Sequence, residues 1–284
     1  MLKSKSLSGL AFWGSFIFCF LLATNTAYAS FHKNMWPKWG VHNPLSQETI
    51  AHNEWQNFLK QCVVTNKEDI NLIDYPHLTK ANLDILKQYI KRMSAINIHN
   101  YNRNEQLAYW LNLYNALTIQ IVADYYPIDC IDDVNISPGL FSIGPWGAQV
   151  VTVAGTPLSL DDIQNRIIRP IWNDPRTHYA LNDATIGAAN LRKEAFQGAT
   201  IESQLNQAAE EYINSLRGVQ VIEGKLIVSK IYDWYIDDFG GNEQALIKHL
   251  LVYAKEPLRN HLQAVSSVNT HIYNWHINST IATA

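Results

Sequence analysis

Apolar positions along the chain fall first into helical stripes and later into short alternating runs. Ser46, with Thr49 and Ile50, opens a helix expected to reach about Val63, because Trp55, Phe58, Leu59 and Cys62 recur at helical spacing. A second helix follows Thr79 and carries Leu83, Leu86, Tyr89, Ile90 and Met93 on one stripe. The third, over residues 104–126, is apolar nearly all round, and Pro127 stops it. A helix without a polar face belongs in the middle of a fold. The period then changes. Residues 149–153 alternate, and Gly155 turns the chain into a second short strand. Ser159 caps a helix bearing Ile163, Ile167 and Ile168, and His178 to Asn182 reads as a strand. Residues 201–216 form an amphipathic helix, and Glu223-Gly224 joins two strands as a hairpin. Helices over 242–254 and 257–264 precede a last extended piece with Ile272, Tyr273 and Trp275. Helices first and hairpins later predict a single α+β domain, its buried central helix against a small antiparallel sheet.

The amino terminus sets the compartment. Lys3 and Lys5 precede an apolar run from Leu10 to Ala23, and Ala27 and Ala29 supply small residues before Ser30. This is the three-part pattern of a secretory signal peptide, so residues 1–29 are expected to be removed and residues 30–284 to form the domain, periplasmic or secreted. The apolar run falls short of the roughly 20 residues a spanning helix needs, so no transmembrane anchor is expected after cleavage. A polar, aromatic leader over 31–44, with Trp36, Pro37 and Trp39, has no period and reads as an irregular segment lying on the domain.

Loss of Lys3 and Lys5 leaves 20 basic side chains against 25 acidic ones. No basic stretch survives to track a phosphate backbone, which excludes nucleic acid as a partner. Cys19 leaves with the signal; Cys62 and Cys130 remain, and both a disulfide and two separate thiols stay open. There is no His-Glu-x-x-His, no cysteine pair at zinc spacing, no glycine-rich phosphate loop and no Gly-x-Ser-x-Gly elbow. Neither a metal nor a cofactor is expected.

Three segments hold candidate chemistry. In the central helix Asn112 and Asn115 share a face, with Glu105 two turns before Asn112. Buried amides are costly unless hydrogen-bonded, so this stripe either ties neighbouring loops to the core, the favoured reading, or lines a pocket. In the expected strand, His178 and Asn182 would face one way and Asp183 the other. His178 and Asn182 would lie roughly 13 Å apart, too far to bond but able to line one pocket. The loop after Asp183 offers Thr185 as its one nucleophile, without an evident activating base. The third segment, Ser229 to Gly241, combines Asp233, Asp237 and Trp234 with further aromatics. Such loops suit sugar or peptide binding, and Asp233 with Asp237 invites comparison with a hydrolytic carboxylate pair, although a solvated face is the simpler reading.

These segments carry a family resemblance. Ala108-Tyr109-Trp110-Leu111-Asn112-Leu113-Tyr114-Asn115-Ala116-Leu117, then Leu158-Ser159-Leu160-Asp161-Asp162-Ile163, then Asp174-Pro175-Arg176-Thr177-His178-Tyr179-Ala180-Leu181-Asn182 occur in this order. Ser229-Lys230-Ile231-Tyr232-Asp233-Trp234-Tyr235, Asp238-Phe239-Gly240 and Tyr273-Asn274-Trp275 with Asn278 follow. Over residues 104–278 the chain resembles the Domain of Unknown Function 547 family, whose name records that it has no settled activity. The resemblance implies an exported bacterial member, and a loop after the His segment of the form Cys-Ala-Ser-Ile-Gly-Cys-Pro. Here Asp183 and Ala188 stand at the two cysteine positions. Joint loss implies that the pair acts together elsewhere, and it removes thiol chemistry from this loop. A buried helix backed by hairpins is also the arrangement of papain-like and transglutaminase-like folds, an analogy that licenses no reaction.

The expectation is therefore a non-thiol ligand-binding or accessory protein of the cell envelope, a pseudoenzyme. Its partner is an unidentified small molecule or envelope component, held at a pocket drawn from Glu105, Asn112, Asn115, Asn182, Asp233 and Trp234. The alternative is a hydrolase of an envelope peptide or glycan, in which His178 works with Asp183 or Asp233.

Overall fold

The structure, a computed structural model, describes residues 33–140 and 142–281. The signal peptide, its cleavage site after Ala29, and the first residues of the leader lie outside the described residues. In chain order the elements are α1 (Asn53–Cys62), β1 (Val63–Thr65), β2 (Asn71–Ile73), α2 (Lys80–Ser94), α3 (Arg103–Tyr125), β3 (Val151–Val153) and β4 (Thr156–Leu158). A π-helical segment, Asp162–Ile168, leads into α4 (Arg169–Trp172). Then come α5 (Ile201–Ile213), β5 (Val219–Ile222), β6 (Lys225–Ser229), α6 (Ile231–Trp234), α7 (Glu243–Tyr253), α8 (Leu258–Gln263) and β7 (Thr270–Ile272). The fold is α+β, as the change of period predicts.

The long helix α3 begins where the Asn102 side chain accepts from the amides of Asn104 and Glu105, which fills an N-cap. Every residue from Glu105 to Ile119 is buried. Its helical neighbours include α2, the 3₁₀ turn Gly198–Thr200, the π-helical segment and α5. The apolar interior divides into two clusters, and α5 serves both. Ile201 and Leu205 join the cluster around α3, while Ala208, Ala209, Tyr212 and Ile213 join the one around the three-stranded sheet, α7 and α8. In that sheet β5 and β6 pair antiparallel and β7 joins β6 in parallel.

Local signals set most boundaries. Thr79 and Asn82 form a reciprocal cap on α2. The Ala154-Gly155 and Glu223-Gly224 corners have positive φ at both residues, the two-residue turn whose twist suits a hairpin. Two expectations fail. α1 starts at Asn53 rather than near Ser46; the preceding stretch is irregular because the Ile50 amide donates to Glu105 Oε2 at 2.9 Å instead of to a helical carbonyl. His178 to Asn182 is not a strand. Pro175–Tyr179 is a 3₁₀ helix, with Asp174 accepting from the Arg176 amide and Pro175 in the first turn, where its missing N–H costs nothing. Cys62 and Cys130 are not joined by a disulfide, and burial pushes the Cys62 thiol up to about 11.

Two irregular stretches do structural work. The leader lies on the domain: Trp39 is buried edge-on against Trp110, and Lys38 donates to the Ala154 carbonyl. The closing segment threads between other parts of the chain. Gly187 and Ile186 donate to the carbonyls of Asn274 and His276, both at 2.8 Å, and Ile277 and Asn278 donate to those of Asp129 and Ala184, both at 2.9 Å. A Cβ on Gly187 would meet the Asn274 amide nitrogen at 2.7 Å, so only glycine permits this approach. Among the described residues no helix is long and apolar enough to cross a membrane.

One buried base near α1 is expected to make stability depend on pH. His52 is 2 % exposed, its Nδ1 lies 2.7 Å from the Tyr89 hydroxyl, and burial with Arg92 nearby lowers its pKa to about 4. The unfolded chain takes up this proton near its ordinary 6.5, so the contribution is complete above that value and is lost as pH falls toward 4. It amounts to about 2 kcal/mol between pH 7 and pH 5. Urea unfolding of the parent and of His52→Phe at both pH values checks this; the same pH dependence in both proteins overturns it.

Candidate functional site

A cavity of about 290 Å³ gathers side chains from seven parts of the chain. α3 contributes Tyr114, the loop after it Asp132, Ile143 and Trp146, and the π-helical stretch with the residue before it Asp161 and Gln164. The 3₁₀ helix contributes His178 and the following loop Leu181, Asp183, Ala188 and Ala189. α6 and its next residue bring Ile231, Trp234 and Tyr235, and the closing segment brings Tyr273 and Trp275. Ile143, 68 % exposed, marks its solvent side.

His178 is the most constrained of these. Its side chain is 3 % exposed and stacks on Tyr235 at 4.2 Å between centroids. Nε2 lies 2.7 Å from Asp238 Oδ2, and that same oxygen accepts from Arg169 Nε at 2.6 Å. Lys33 Nζ lies 2.7 Å from the other oxygen, Oδ1. The π-helical turn aims this group: Arg169 also donates to Asn165 Oδ1 at 2.9 Å and lies over the Tyr235 ring. Burial by itself would raise the Asp238 pKa, but the hydrogen bonds from His178 and Arg169 hold it well below the usual carboxylate range. Burial lowers the His178 pKa, against the pull of Asp238. The pair is thus a neutral imidazole beside an ionised carboxylate. An ionised carboxylate has no proton to give, so Nε2 carries the hydrogen and Nδ1 the lone pair. Among the described residues Nδ1 has no hydrogen-bond partner. His178 therefore presents a base in the cavity wall, with Asp238 fixing its tautomer.

Asp183 lies in the same wall. Oδ1 accepts from the Thr185 amide at 3.1 Å and from the Thr185 hydroxyl at 2.6 Å, and Oδ2 accepts from the Tyr273 hydroxyl. Burial raises its pKa against those bonds. Burial also raises Asp161, helped by Asp162, and Asp132, which accepts from Trp146 Nε1 at 2.9 Å. Thr185 is 1 % exposed, and its hydroxyl proton is committed to Asp183.

Of the residues singled out in the sequence, the cavity brings together His178, Asp183 and Trp234. Glu105, Asn112, Asn115 and Asn182 lie elsewhere, as buried ties. Asn112 donates to the Phe196 carbonyl at 2.8 Å and accepts from its amide at 2.9 Å. Asn115 does the same for the Ala180 carbonyl and the Asn182 amide, both at 2.9 Å. Asn182 holds the Ala189 carbonyl and the Ala184 amide. Asp233 and Asp237 are exposed, so neither pairs with His178; the partner is Asp238. Arg169 and Asp238 were missed. A buried arginine after three isoleucines requires a carboxylate, a signal that names a need without naming the residue that meets it. Among the described residues no three His, Cys, Asp or Glu are placed to hold a metal ion.

The positions where the resemblance implies cysteines, Asp183 and Ala188, both line this cavity with His178. No curated protein and no solved structure matches the chain significantly. The family model described as "Protein of unknown function, DUF547" matches residues 98–213, the segment that holds α3, the π-helical turn, His178 and Asp183, and that match supports the family resemblance over this segment.

Proposed function

We propose that the protein is an exported, non-thiol pocket protein of the cell envelope that retains a small molecule. The observation that carries this reading is the cavity itself, in which carboxyls and aromatic rings converge on a space of about 290 Å³ that, among the described residues, no cysteine lines. Neither Cys62 nor Cys130 is among its lining residues, and Thr185, the nearest hydroxyl nucleophile in the loop, is sealed and bonded. Export is supported by the charged start, apolar run and small residues ahead of Ser30.

Untargeted metabolite analysis with native mass spectrometry of protein recovered from its own envelope tests the reading. A discrete adduct should be released on denaturation and be absent from Trp234→Ala. Protein recovered without any adduct would count against retention. Amino-terminal sequencing of the same material should begin at Ser30, and intact Met1 in a membrane fraction would remove the export proposal.

One observation favours a second reading, in which His178 acts as general base in hydrolysis of an envelope peptide or glycan. A neutral imidazole with its tautomer set by Asp238 and its Nδ1 unpartnered is equipped to take a proton from water. Turnover of such a substrate by the parent, lost in His178→Ala, would replace the retention reading with this one.

A further inference from the structure

We propose that the cavity takes a small organic cation, an ammonium group carried on an apolar body. This rests on the pocket reading above and adds the chemical class of its ligand. The first support is charge. Asp132, Asp161 and Asp183 line the wall, and among the described residues no lysine or arginine does. Three cations around the site are committed elsewhere: Arg169 and Lys33 serve Asp238, and Arg217 donates to the carbonyls of Ile186 and Ala188. An anionic ligand would meet three carboxyls with no counter-charge.

The second support is the balance of donors and acceptors. Asp161 takes one contact, from Asn165 at 3.4 Å, which is too long to satisfy a carboxylate. His178, 6 % exposed, adds its unpartnered Nδ1, an acceptor when the ring is neutral. A ligand that fits must bring donors, and an ammonium group brings donors without an acceptor of its own. Burial raises the pKa of all three carboxyls from the ordinary value, a shift that a bound cation opposes.

The third support is aromatic and independent of the acids. Trp234, Tyr273 and Trp275 touch one another with centroids 4.7 to 5.3 Å apart and share the wall with the carboxyls. Such ring clusters attract cations through their faces and cover an apolar body through their area.

Titration calorimetry with the full mature chain tests the class, with phenethylammonium, its neutral analogue 2-phenylethanol and the anion 3-phenylpropionate as probes. Phenethylammonium should bind about tenfold more tightly than 2-phenylethanol, and 3-phenylpropionate should show no heat of binding. Asp161→Asn should abolish that preference while leaving the alcohol within about twofold of its parent affinity. Asp132→Asn repeats the measurement should Asp161→Asn fail to fold. Equal binding of the amine and the alcohol overturns the cationic class and leaves the pocket reading standing. A neutral or anionic adduct in the native mass spectrum does the same. Failure of all three probes to bind also overturns it, and the adduct then decides the pocket reading separately.

Discussion

Asp238→Ala should destabilise the protein by about 3–5 kcal/mol, because it removes the carboxylate paired with a buried cation. The carboxyl holds Arg169 at 2.6 Å and His178 at 2.7 Å, and the side chains of these two partners are 2 % and 3 % exposed. Without the carboxylate, the Arg169 guanidinium keeps Asn165 and the Tyr235 ring but loses the Asp238 charge that offsets its desolvation. Because Asp238 titrates below the ordinary carboxylate range when folded, this contribution is complete at neutral pH and is lost only in acid, as pH falls through the folded value. The unfolding midpoint should fall by about 10 °C or more in a chain of this size. Removing the charges together, as Arg169→Met with Asp238→Leu, should recover much of the loss, since the cost lies in burying the cation without this carboxylate rather than in the missing bond. Urea unfolding of the three proteins at pH 7 measures both effects. An Asp238→Ala protein within about 1 kcal/mol of the parent would show that the triad is solvated in solution.

What could be read from the sequence and what could not divides along the distance over which the information acts. The α3 apolar run, the Thr79 cap and the two hairpin corners are written within a few residues of where they act, and each appears where periodicity or turn chemistry puts it. The His178 segment was misjudged for a local reason. Alternation from His178 to Asn182 outweighed Asp174-Pro175, a cap followed by a residue preset for a helical first turn. The site is different in kind. Asp238 meets His178 across 60 residues, and Tyr273 meets Asp183 across 90. No period or spacing encodes such a meeting; it follows from how β7 and the closing segment run beside β6 and the 184–187 loop. The resemblance did mark Asp238-Phe239-Gly240 and Tyr273-Asn274-Trp275 as motifs, but a motif carries no partner. Conversely, Glu105, Asn112 and Asn115 were visible because polar residues stand out in an apolar helix, and that visibility says only that they are satisfied.

How they are satisfied sets the second large effect. Asn115→Leu should destabilise the fold by about 2–5 kcal/mol, since it leaves two buried backbone groups, the Asn182 amide and the Ala180 carbonyl, without partners. Asn112→Leu should cost a similar amount, about 2–5 kcal/mol, by freeing both backbone groups of Phe196. Leucine is close in volume and well suited to a helix interior, so neither change opens a cavity or breaks α3. The two substitutions should part company at the site. Asn115 ties down the stretch between His178 and Asp183, so its loss should weaken ligand retention in whatever protein still folds. Asn112 anchors Phe196, which is not among the residues lining the cavity, and Asn112→Leu should retain ligand as the parent does. Urea unfolding and native mass spectrometry on the same preparations read the two outcomes. Unchanged melts would mean that the amides face water. Equal loss of ligand in both variants would mean that retention follows global stability rather than the placement of residues 180–182.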